Sequence, residues 1–300
     1  MHLRVLVTGG AGFVGSNTVD ALLAGGHAVA ALDDLSTGEA ANVVERVPLL
    51  VADIADAAAT SRAVEGQRFD AVVHLASKTK VVQSMEEPEL YRRVIVDGTA
   101  NVLAAARATG AGRFVNVSSG GVIYGLTTGA CASEELPIAP VSPYGRYKAE
   151  AEAVVGADGI SSLTLRPANI YGPRQRTDLE GGVVAIFQRC WREGEPLTVY
   201  GDGTMERDYV YVEDVASAVV AALTSAREGI YNVGTGVATS VNALIESMSE
   251  VLGPPPGVRY GAIRSGELAR NCLDASKAAR DGLWQPRVSL REGLARMVAV

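Results

Sequence analysis

Tyr144 and Lys148 lie four residues apart in the run Ser142-Pro143-Tyr144-Gly145-Arg146-Tyr147-Lys148. A helix opening there and continuing through Ala149–Val155 puts both side chains on one face. Tyrosine, with an ordinary pKa of about 10, is a poor base at neutral pH. A neighbouring ammonium favours the phenolate, and a tyrosinate so placed can take the proton of a substrate hydroxyl. Such pairs also arise by chance, so the weight of this one depends on its surroundings.

Near the N-terminus, Leu3-Arg4-Val5-Leu6-Val7-Thr8 runs into Gly9-Gly10-Ala11-Gly12-Phe13-Val14-Gly15, with a helix expected from about Ser16. Glycines at 9, 12 and 15 in a strand-to-helix turn let backbone N–H groups and the helix dipole face a pyrophosphate. A second strand pattern ends in Asp33, 18 residues past Gly15, where a carboxylate hydrogen-bonds an adenosine ribose 2′-OH. A carboxylate would repel a 2′-phosphate, so NAD is favoured over NADP. The positive charge of an oxidised nicotinamide would further favour a Tyr144 phenolate. Asp53, after the third strand, suits either the adenine amino group or the N-cap of a helix starting at Ile54.

Short apolar runs carry these groups: Leu3–Thr8, Ala28–Leu32, Pro48–Ala52, Ala71–Leu75, Phe114–Ser118 and Leu163–Arg166. Nearly continuous apolar strands alternating with helical patterns predict an α/β fold with a parallel sheet covered on both faces. Right-handed crossovers make it doubly wound, of the Rossmann type. After Pro167 the chain is punctuated by Gly172-Pro173, Gly181-Gly182, Gly194, Pro196, Gly201 and Gly203. These mark loops and short elements. The expected division is a dinucleotide-binding domain over 1–166 and a smaller mixed α/β substrate-binding lobe over 167–300. The chain returns to the large domain at about 210–233, and a helix is expected over Asp214–Ala226.

The ordered set Thr8–Gly15, His74-Leu75-Ala76, Ser118–Gly125, Tyr144–Lys148, Arg166–Gly172, Arg207–Val215 and Arg264–Lys277 resembles the extended short-chain dehydrogenase/reductase family. Within it, the similarity is to the nucleotide-sugar epimerases and dehydratases. The resemblance implies that Tyr144 is the base and that Lys148 orients the nicotinamide ribose. It implies cofactor contacts at Gly9, Gly12, Phe13, Val14, Gly15, Asp33, Asp53, Ile54, Leu75 and Ala76. It further implies a Ser or Thr that hydrogen-bonds the sugar hydroxyl.

The family's usual place for that hydroxyl holds Gly120, which leaves Ser119 or Ser118 to substitute, or both serines to satisfy backbone at a strand end. Gly120 is thus the position to restore if the site were silent. A helix Asn frequent in the family is replaced by Ile95. Asn169, Arg207 and Arg264 correspond to diphosphate ligands, a role that suits the bidentate guanidinium. Tyr200 fits either beside the nucleotide base or in the core. Asn271 corresponds to a position that sets sugar-pocket size, and a small residue there implies a permissive pocket.

A 4,6-dehydratase needs an acid/base pair where this chain has Gly121-Val122, and a decarboxylase-like site would show a Glu in that loop. The expected activity is therefore 4-epimerisation of a UDP-hexose, UDP-N-acetylhexosamine or UDP-hexuronic acid through a transient 4-keto sugar. A dehydratase, a ketoreductase and a non-catalytic NAD sensor are the alternatives. The family also implies a homodimer, with Val94–Ala108 and Lys148–Val155 as the candidate seam.

Composition restricts the partners. With 27 Lys+Arg against 34 Asp+Glu the net charge is -7, and no basic run offers a footprint for nucleic acid or anionic membrane. No stretch approaches the roughly 20 apolar residues of a membrane span, and Met1–Val5 leads straight into a strand pattern, so a cytoplasmic protein without a signal peptide is expected. Cys131, Cys190 and Cys272, odd in number and scattered, predict neither a disulfide framework nor a metal site. Cys131 and Glu134-Glu135 read as a solvated loop, and His74 as packing under the cofactor.

Overall fold

In a computed structural model, residues 2–126, 129–178, 182–263 and 268–298 are described. The strands Arg4–Thr8, Ala28–Asp33, Leu49–Val51, Ala71–His74, Arg113–Val117, Ser162–Pro167 and Gly229–Val233 form one seven-stranded sheet. All neighbours are parallel. Arg4–Thr8 sits in the interior. The chain first builds outward through Ala28–Asp33 to Leu49–Val51, then crosses back to lay Ala71–His74 on the other side of Arg4–Thr8. That reversal opens a crevice at the carboxyl ends of the first and fourth strands, where such folds bind ligands.

Burial on both faces explains the unbroken apolar runs. Val5 and Val7 enter one core with Val73, Val115 and Val117, under the helices Phe13–Ala24 and Val212–Thr224 through Val19, Leu22, Val215 and Val219. Leu6 enters the opposite core with Val72 and Phe114, under Gly98–Thr109 through Val102 and Leu103. A two-sided strand therefore needs apolar residues at every position rather than at alternate ones.

Beyond Pro167, Glu206–Tyr211 pairs with Asn169–Tyr171, Ala238–Ser240 and Arg270–Asn271, and Leu197–Tyr200 pairs with Val258–Gly261. A third core of Tyr171, Phe187, Leu197, Tyr209, Leu244 and Leu294 lies among them. The expected helix over Asp214–Ala226 is observed as Val212–Thr224, and Gly229–Val233 completes the large sheet. The expected Val94–Ala108 helix begins differently: Arg93–Asp97 is a π-helical stretch that leads into Gly98–Thr109. Among the described residues no helix is long and apolar enough to cross a membrane.

The cysteine expectation is overturned. Cys131 and Cys272, separated by 141 residues, form a disulfide, and Cys190 is buried and free. Ala132 and Leu273 make an isolated parallel bridge next to it, so tertiary packing of a loop on a strand creates the pair. No sequence spacing announces such a contact.

Candidate active site

The glycine turn is a shape that side chains would fill. Gly9 has φ +69, and a Cβ there would stand 2.7 Å from the Ala76 amide nitrogen; at Gly15 it would stand 1.9 Å from the Gly9 carbonyl oxygen. The helix Phe13–Ala24 is capped by Gly12 with no side-chain acceptor, which leaves first-turn N–H groups for an anion. Asp33, buried at the end of its strand, accepts from the Ala11 and Leu35 amides at 3.0 and 2.9 Å. Burial raises its pKa, and those backbone donors oppose the rise. Asp53 does not cap a helix: its carboxylate accepts from the Ala55 amide, and Asp56 caps Ala57–Ala63 instead. Cradle and carboxylates together fit a dinucleotide.

A cavity of about 350 Å³ runs from this turn to the tyrosine. Its walls include Gly9, Gly12, Phe13, Val14, Gly15, Asp33, Asp53, Ile54, Leu75, Ala76, Ser119, Tyr144 and Asn169, all expected from sequence. Lys148, Tyr200, Arg207 and Asn271 do not line it. Arg264 lies outside the described residues. Lys78, Arg174, Arg176, Ser36 and Thr37 line it and were not anticipated. Lys78 donates to the Ser36 hydroxyl and Arg176 to the Thr37 carbonyl. Their only sequence signal is adjacency, Ser36-Thr37 following Asp33 and Arg174–Arg176 following Gly172-Pro173.

Tyr144 sits in the first turn of Pro143–Ala157, a helix capped by the Ser142 hydroxyl accepting from the Gly145 amide. Its own amide donates to the Ser84 hydroxyl, and its ring meets Tyr91 edge-on. Burial pushes the phenol up to about 12, and a hydrogen bond with Ser119 offsets only part of that. The protein alone therefore keeps Tyr144 protonated, so a phenolate depends on added positive charge. Ser119 lines the cavity beside this phenol. The Ser118 hydroxyl is buried without a hydrogen-bond partner and does not line the cavity.

Gly120 is not a missing serine. A Cβ there would lie 2.4 Å from Leu273 Cδ1 and 3.0 Å from the Arg166 carbonyl oxygen. Gly120→Ser is thus expected to destabilise the fold by about 1–3 kcal/mol through overpacking, without a gain in turnover. A lowered urea midpoint checks the first part; a variant at least as stable as the parent would contradict it.

Lys148 Nζ donates to the Val117 carbonyl at 3.2 Å, and burial lowers its pKa from 10.5 to about 8, opposed by Glu152. The unfolded chain therefore holds more protons than the folded one between about 8 and 10.5, and stability rises with pH across that window. The cost of the buried ammonium is fully present below pH 8. Lys148→Met is expected to raise stability at pH 7 by about 1–3 kcal/mol, a gain that shrinks as pH climbs toward 10.5. Urea unfolding at pH 7 and pH 9.5 measures it, and an equal gain at both would refute the assignment.

Behind the tyrosine helix, Arg166 donates to both Glu152 carboxylate oxygens and to the Tyr124 hydroxyl, which in turn donates to Asn232. Both charged side chains are buried. His74 joins Thr8 at 2.8 Å and Thr99 at 3.0 Å, and burial drops its pKa to about 3. It is a neutral tie between the first and fourth strands, and not a base. Among the described residues no group of three or more His, Cys, Asp or Glu could hold a metal.

A model of the NAD dependent epimerase/dehydratase family matches residues 5–234. UDP-glucose 4-epimerase of Mycolicibacterium smegmatis is 40% identical over 99% of this chain and 97% of its own length. The crystal structure of Thermus thermophilus UDP-glucose 4-epimerase in complex with NAD superposes with a TM-score of 0.94 at 42% identity, covering 99% of this chain and 98% of that one. A Thermotoga maritima UDP-glucose 4-epimerase solved with UDP-glucose gives a TM-score of 0.94 at 36% identity, covering 99% and 97%.

Proposed function

The chain belongs to the NAD-dependent epimerase/dehydratase family, and from that premise we propose that it is a nucleotide-sugar 4-epimerase. Its substrate in this reading is a UDP-hexose, UDP-N-acetylhexosamine or UDP-hexuronic acid. The observation that carries the reading is that Tyr144 and Ser119 line one cavity whose neighbouring wall, Gly121-Val122, bears no carboxylate. A dehydratase must protonate a leaving hydroxide, and the segment next to the tyrosine has no acid for it. A 4-epimerase needs one proton taken from and returned to the same oxygen.

Tyr144 takes the sugar C4 hydroxyl proton, and Ser119 hydrogen-bonds the same oxygen. NAD, held by the Gly9–Gly15 turn and Asp33, would supply the hydride acceptor and donor. Lys148, whose Nζ donates to the Val117 carbonyl, orients the nicotinamide ribose. After the sugar presents its other face, Tyr144 returns the proton, so the reaction is redox-neutral. Asn169 and Arg207, with Arg264, hold the diphosphate. The names of the relatives support the UDP-glucose member of this substrate class first. A homodimer through the helices around Gly98–Thr109 and Pro143–Ala157 belongs to the same reading.

The test is incubation with UDP-glucose, UDP-N-acetylglucosamine and UDP-glucuronic acid without added reductant, followed by chromatography. A 4-epimer without NADH accumulation is expected. Products that have lost water, or turnover only when NADH is supplied, would replace the epimerase with a dehydratase or a ketoreductase.

A further inference from the structure

We infer that the Cys131–Cys272 disulfide is a redox-sensitive brace for Ser119, so that its oxidation state sets turnover; this rests on the epimerase reading of the same site. The segment that carries Cys272, just past the strand Arg270–Asn271, buttresses the serine. Asn271 Nδ2 donates to the Gly121 carbonyl at 3.0 Å and reaches the Gly120 carbonyl at 3.4 Å. Leu273 occupies the space beside Gly120. The turn held from both sides begins at Ser119, whose hydroxyl hydrogen-bonds Tyr144.

Cys131 lies on the chain that leads to Ser142, the cap of the Tyr144 helix. One covalent bond therefore joins the backing of Ser119 to the approach to Tyr144. Besides it, the seam is held by the Ala132 amide donating to the Cys272 carbonyl, the Asp274 amide donating to the Ala132 carbonyl, the Asn232 amide donating to Glu134, Asn232 Nδ2 donating to the Ala132 carbonyl and Arg270 Nη1 donating to the Ala130 carbonyl. These few bonds must hold the loop once the covalent link is gone. Asn271 is thus a positioning residue that acts through the Gly120 and Gly121 carbonyls, which is why it does not face the cavity.

The two sulfurs differ in access: Cys272 is fully buried and Cys131 partly exposed. A dithiol reductant opens the bond by attack of its thiolate on Cys131 Sγ, expelling Cys272 as a thiolate that takes a proton. The reductant's second thiol then displaces Cys131 and closes the reductant's own disulfide, so two electrons pass to the protein. The Arg270 guanidinium, with Nη2 3.9 Å from Cys131 Sγ, favours the thiolate released there.

The experiment compares oxidised and dithiothreitol-treated protein. Thiol titration in denaturant should count one free thiol, Cys190, rising to three on reduction. With UDP-glucose, reduction should lower kcat about three- to tenfold, the scale of a sub-ångström misplacement of a catalytic group. KM should change little, and oxidised glutathione should restore the rate. Cys131→Ser should match the reduced rate and ignore dithiothreitol. Hydrogen exchange at Ser119–Tyr124 should quicken on reduction. Equal kcat in both states, a Cys131→Ser variant that still responds to dithiol, or three thiols before reduction would each overturn the brace. If neither state turns over any sugar, the epimerase reading fails instead, and unchanged exchange at Ser119–Tyr124 then rejects the brace by itself.

Discussion

Tyr144→Phe is expected to lower turnover by about 10²–10⁴-fold, the range for removing a general base, while NAD stays bound and the fold stays intact. The ring is what packs: it lies edge-on to Tyr91 in a small cluster with Ile95 and Ala151. The hydroxyl's hydrogen-bond partner is Ser119, so phenylalanine keeps the packing and removes only the proton acceptor. Steady-state kcat measured beside the bound-NAD absorbance separates the two roles. A variant that retains more than about a tenth of the parental kcat would fall outside the general-base range and move the base elsewhere. Because burial holds the phenol up near 12, the protein by itself keeps the base protonated at neutral pH, and the positive charge of an oxidised nicotinamide favours the phenolate. Turnover should therefore climb with pH along an acidic limb, and the climb should stop where Lys148 begins to lose its proton, about pH 8.

The largest stability effect is expected at Glu152. Its carboxylate accepts from the Nε and Nη2 edge of the Arg166 guanidinium, at 2.6 to 3.2 Å, and also holds up the pKa of Lys148. Glu152→Ala would leave two buried cations with the Tyr124 hydroxyl and the Val117 carbonyl as their remaining partners. Breaking a buried pair by removing one member costs about 3–5 kcal/mol, which is much of the stability of an ordinary protein. The drop should appear as a lower urea midpoint. The double change Glu152→Leu with Arg166→Met should recover part of it, because apolar replacement of both partners leaves one buried cation fewer. A single variant that loses less than about 1 kcal/mol, the scale of an exposed pair, would mean that the pair is solvated in practice.

Residues near one another in sequence carried most of the legible site. Gly9, Gly12 and Gly15 in a strand-to-helix turn, Asp33 at the next strand end, and Tyr144 one turn from Lys148 are spaced by the geometry of single elements. Six of the seven strands of the large sheet were legible as short apolar runs, since a sheet buried on both faces demands them. Gly229–Val233 joined the sheet at a place where sequence indicated only a returning chain. Its pattern, exposed at one end and buried at the other, is that of an edge strand.

The sequence by itself determined the local frame: a parallel doubly wound sheet, a glycine turn for a dinucleotide, and a tyrosine–lysine pair on one helix face. Each is set by residues within a few turns of one another, where the periods of strand and helix dictate which way side chains point. Only the tertiary structure decided that Ser119 faces the cavity, that Gly120 is glycine because Leu273 fills its space, and that Cys131 bonds Cys272. It alone turned Asn271 onto backbone carbonyls 150 and 151 residues away. Those outcomes depend on close packing between distant segments, and packing is a property of the assembled core that no local spacing encodes.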